Sequence, residues 1–141
     1  MNIELHLRIV GVLLFALLGL NFFLPRRFNW RDELPRLSPI NRQIFIVHAL
    51  FIALLLGMFG TLSLLFAPLL TAPGPLPKLV LAGLALFWLV RLLAQWFVYD
   101  RALWRGRRFE TSMHVVFTLV WLYFVATYSV ALWLNVKGVA T

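Results

Sequence analysis

Four long apolar runs alternate with short polar connections along the chain. They cover about Leu7–Leu24, Ile44–Leu70, Leu79–Tyr99 and Met113–Leu134. A helix crossing ~30 Å of hydrocarbon needs roughly 17–25 residues, and every run reaches that length. The runs are continuous rather than alternating, which excludes spanning strands. Backbone groups in lipid must pair within their own segment, so the runs are predicted to be helices. The expected fold class is an all-α membrane protein: a four-transmembrane-helix bundle forming a single domain over residues 1–141, with polar connections at 25–43 and 100–112. The second run exceeds the length needed and should tilt or break near Pro68.

Local punctuation agrees with this division. Pro25 should end the first helix. Ser38-Pro39 reads as an N-cap followed by proline at the first helical position. The stretch Thr71-Ala72-Pro73-Gly74-Pro75 separates the second and third helices. Thr111 or Ser112 is expected to cap the fourth. Between Arg27 and Arg42, the apolar residues Phe28, Trp30, Leu34 and Leu37 lie among arginines, and Pro35 and Pro39 limit any helix, so a short interfacial turn is expected there.

Composition reinforces the membrane assignment. Hydrophobic residues make up 62% and charged residues 13% of the chain, against roughly 45–50% and about 25% in soluble domains. A soluble fold this apolar would expose aggregating patches. The chain has no cysteine, which removes thiol catalysis, thiolate metal sites and c-type haem attachment.

The net charge of +8 raises nucleic acid as a partner, but the placement argues against it. Nine of the 13 Lys and Arg residues lie in two connections: Arg26, Arg27, Arg31, Arg36 and Arg42 in one, and Arg101, Arg105, Arg107 and Arg108 in the other. Basic residues in short loops stay cytoplasmic. The positive-inside rule thus puts both connections in the cytoplasm and both termini on the outer, periplasmic side, with the lipid bilayer rather than nucleic acid as partner. The first helix lacks a basic leader and a small-residue cleavage site, so it reads as a span rather than a signal peptide. Arginine outnumbers lysine 11 to 2, as in GC-rich bacteria, which suggests a multi-pass protein of the inner membrane.

Ionisable residues inside the spans are costly and are functional suspects. Arg91 is the deepest, about eight residues or ~12 Å from the end of the third run. Gln95 and Tyr99 follow it at i+4 and i+8, forming a polar ladder on one face. His48 and His114 lie at matching depth near the cytoplasmic ends of the second and fourth runs, and Asp100 closes the third at that level. Glu110 shares a face with His114 if the fourth helix starts early. His6 precedes the first span and is expected to be solvated. Convergence of His48, Arg91, Gln95 and His114 would form a site in the cytoplasmic leaflet for haem b or a quinone. His48, His114 and Glu110 would suit a metal ion. The structural alternative is that Arg91 snorkels or ties helices together and the histidines bond water or carbonyls.

Ala49, Ala53, Gly57 and Thr61 form an i+4 row of small residues on the second helix, suited to self-association or to packing within the bundle. No motif marks a Ser, His and acid group, and there is no phosphate-binding glycine loop. The function classes that remain are a non-enzymatic subunit or accessory protein of a membrane complex, a redox component, and a carrier or enzyme that handles lipids or small molecules.

Overall fold

The computed structural model describes residues 2–98 and 108–138. The elements are α1 (Ile3–Arg27), α2 (Trp30–Glu33), a 3-10 turn (Leu34–Arg36), α3 (Pro39–Leu65), α4 (Ala67–Thr71), α5 (Pro75–Phe97) and α6 (Arg108–Lys137), with no strand among the described residues. Four helices, α1, α3, α5 and α6, are long and apolar enough to cross a membrane.

The helix ends are set by local capping and by proline. The α1 helix starts at Ile3, with the Leu5 N–H donating to Asn2 Oδ1 at 3.1 Å as an N-cap. It runs through Pro25 to Arg27 instead of ending there. The proline removes one bond, to the Asn21 carbonyl, while the next turn is held by the Phe28 N–H on the Leu24 carbonyl at 2.9 Å. Ser38 does precede α3, with Pro39 at its first position, but its hydroxyl makes no capping bond.

The long second run breaks at Phe66 into α3 and α4, two residues before Pro68. Pro68 has no N–H for the Leu64 carbonyl and its ring crowds that carbonyl, so the helix yields upstream. Gly74, at φ 151, turns the chain into α5 through a conformation that side chains rarely adopt. Neither Thr111 nor Ser112 caps α6. The helix already includes Arg108, and the Ser112 hydroxyl donates back to the Arg108 carbonyl at 2.9 Å. Gly138, at φ 66, follows the end of α6 as a left-handed cap.

The chain forms two compact units. In the unit Arg8–Ala67, α1 and α3 run antiparallel: positions 11, 14, 15 and 18 meet positions 64, 60 and 57 in reverse order. The closest approach is at Gly11, where a Cβ would lie 2.6 Å from the Leu64 nitrogen. Val10, Leu14, Leu56, Gly60 and Ser63 are buried. The Trp30 ring packs edge-on against Phe45, with centroids 4.8 Å apart, and fixes the α2 hook to α3.

In the unit Met1–Leu7 with Pro68–Thr141, α5 and α6 are also antiparallel. Leu81, Leu84, Trp88 and Leu92 of α5 and Trp121, Phe124, Tyr128 and Ala131 of α6 are buried. The first turn of α1 is tied in by polar contacts. His6 Nδ1 lies 2.9 Å from the Tyr123 hydroxyl, and the Thr71 hydroxyl donates to Glu4 at 3.2 Å. His6 is therefore a half-buried residue within α1, not a solvated one ahead of it. Asn135 completes the knot, donating to the Ala72 carbonyl at 2.8 Å.

Candidate functional site

Arg91, Gln95 and His114 meet between α5 and α6. The i+4 spacing sets Gln95 one turn beyond Arg91, and the Arg91 guanidinium donates to Gln95 Oε1 at 3.1 Å. Gln95 Nε2 lies 2.9 Å from His114 Nδ1 on the facing helix. Gln95 is only 5% exposed, so the bridge is sheltered from competing partners.

The direction of this chain follows from its donors. Arginine only donates, so the Gln95 atom facing it is the oxygen. The amide nitrogen must then face His114 and donate to Nδ1. Nδ1 is the acceptor, and the neutral ring keeps its proton on Nε2. A haem iron or metal ion would need the Nε2 lone pair, which this arrangement caps with a proton. An iron or metal ion bound there would displace that proton and require the Gln95 amide to turn.

The sequence reading missed the aromatic side of the cluster. The Arg91 guanidinium carbon sits 5.0 Å from the centroid of the Trp121 ring, within cation–π range. Trp121 stacks on Trp88 at 5.0 Å and 14°, and on Phe117 at 5.8 Å and 13°. Trp88 and Trp121 are core residues, and their indole nitrogens are buried without a hydrogen-bond partner. One signal was available: Trp121 lies two turns after His114, on the same face of α6.

His48 belongs to the other unit. It is exposed on α3, and its Nδ1 bonds the Ile44 carbonyl of its own helix at 2.9 Å. A carbonyl only accepts, so His48 donates from Nδ1, and in the neutral ring Nε2 is then an acceptor, the opposite tautomer to His114. Glu110 lies one turn before His114 in α6, as expected for a helix that starts early. Tyr99 and Asp100 lie outside the described residues. Among the described residues no three His, Asp or Glu side chains group to hold a metal ion, and the set His48, His114 and Glu110 gains no support.

Ala53, Gly57 and Thr61 of the small-residue row line an open apolar groove of ≈ 650 Å³ with Phe15 and Leu18 of α1. The Thr61 hydroxyl bonds the Gly57 carbonyl at 2.8 Å, so the groove wall presents no unmet donor there. No protein-family model, no curated protein and no solved structure matches the chain.

Proposed function

We propose that this polytopic membrane protein is a non-enzymatic subunit or accessory protein, and that α3 is the helix through which it joins a membrane assembly. The observation that carries this reading is the bareness of α3. It buries Leu56, Gly60 and Ser63, and its residues from Ile40 to His48 are all exposed, Phe45 carrying the Trp30 ring. That stretch is not purely apolar. Asn41, Gln43 and His48 project from it, and His48 offers Nε2 one turn inside the apolar run. An acceptor facing hydrocarbon unpaired costs about 1–3 kcal/mol, which a donor on a neighbouring helix would offset. The Arg91–Gln95–His114 chain fits the same reading, since its groups bond one another and tie α5 to α6.

Photo-crosslinking in native membranes tests this. A photoreactive residue at Ile46 or Phe51 of α3 should yield a protein adduct of one defined mass. The same residue at Leu119 of α6 serves as the reference. Adducts to lipid alone from all three positions would refute the proposal.

A further inference from the structure

The α1–α3 connection is built as a two-faced hook. Trp30 and Leu34 are the half-buried pair at i,i+4, and Trp30 packs on Phe45. Phe45 stands six residues into α3, about 9 Å along its axis at 1.5 Å per residue. The indole is thereby anchored beside the start of the apolar run at Ile44, the level at which tryptophan marks a membrane interface. Pinning this face against α3 turns the other face outward. Arg26, Arg27, Arg31, Arg36 and Arg42 are all exposed, and so are Phe28 and Leu37.

The acidic residues of the hook are already engaged. Asp32 accepts from the Asn29 amide at 2.6 Å, and Glu33 pairs with Arg36 at 3.5 Å. Five arginines against two carboxylates leave a net charge of +3 between Arg26 and Arg42. A fixed turn thus holds guanidinium groups and two bulky apolar side chains at the boundary between headgroups and hydrocarbon.

We infer that this hook is a docking surface for anionic phospholipid. The arginines receive the headgroup phosphate, which matches the planar guanidinium fork, while Phe28 and Leu37 enter the acyl boundary. The charge complementarity is directional: a zwitterionic headgroup carries the same phosphate but adds a cation that the arginines repel. This inference is independent of a partner at α3.

The test is native mass spectrometry of the full chain released from nanodiscs of equal parts phosphatidylglycerol and phosphatidylcholine. The parent should retain phosphatidylglycerol preferentially. Arg31→Gln with Arg36→Gln leaves the arginines of the spans intact and should lower that preference by about fivefold for each arginine removed. Glu33→Gln releases Arg36 and should raise it by a similar factor, so the inference stands or falls even if the double variant fails to fold. Excess inorganic phosphate should displace no more lipid than chloride of equal ionic strength. Equal retention of the two lipids by the parent, an unchanged preference in Glu33→Gln, or selective displacement by inorganic phosphate would each overturn the proposal.

Discussion

Replacing Gly11 with alanine probes the close approach of α1 and α3. The added Cβ would meet the Leu64 nitrogen at 2.6 Å, the Leu64 Cβ at 2.7 Å and the Gly60 carbonyl oxygen at 2.9 Å. Ordinary contacts between such atoms begin near ~3.5 Å, so the helices must part by roughly 0.9 Å. Two of the three atoms are backbone and cannot rotate away. Separation would also loosen Val10 and Leu14, which are fully buried. Overpacking of this kind costs about 1–3 kcal/mol, and rigid neighbours put Gly11→Ala at the upper end.

The other glycines on this helix pair grade the effect. At Gly60 a Cβ would meet the Phe15 ring at 3.1 Å, and a ring can shift, so about 1 kcal/mol is expected. At Gly57 the nearest atom is Leu18 Cδ2 at 3.6 Å, an ordinary contact. At Gly19 nothing lies within 4 Å, and alanine should gain about 0.5–1 kcal/mol from reduced backbone entropy. Thermal unfolding of the purified chain in one detergent, followed by circular dichroism, should rank the variants Gly11→Ala, Gly60→Ala, Gly57→Ala and Gly19→Ala from least to most stable. Equal midpoints for Gly11→Ala and Gly19→Ala would show that the helices do not touch there, and would refute the α1–α3 register.

Gln95→Leu removes both bonds of the buried bridge and should cost about 1–3 kcal/mol, while its double-mutant cycle with His114→Ala should give a coupling of about 0.6–1.7 kcal/mol; a coupling near zero would mean that the two side chains do not interact. Arg91→Leu relieves an insertion cost of about 2.5–3.5 kcal/mol but strands Gln95 Oε1, so abundance in the membrane should change little; a steep fall would point to a partner for Arg91 other than Gln95 and Trp121. The purified protein should retain no bis-histidine haem spectrum after haem supplementation and desalting, because His114 is held by the Gln95 amide; such a spectrum, lost in His114→Ala, would overturn that assignment. A reporter fused after Thr141 should behave as periplasmic under the positive-inside rule, and a cytoplasmic readout would reverse the orientation.

The number of spans and their approximate limits were legible in the sequence because hydropathy is a local, additive property. The four apolar runs can satisfy their backbone groups in lipid only as helices. The Arg91–Gln95 contact was legible for a similar reason, since i+4 neighbours on a helix meet whatever surrounds them. Helix ends were less so. Pro25 was survived because only one bond was lost near a terminus, whereas Pro68 broke the longer run two residues upstream. Which residues meet across helices depends on register, and hydropathy leaves register open. Tertiary packing brought Gln95 opposite His114, laid Arg91 over Trp121 and seated Leu64 on Gly11. It also set the partner of His114. The two histidines look equivalent in the sequence, but His114 meets the Gln95 amide of the facing helix, whereas His48 bonds a carbonyl one turn back in its own helix.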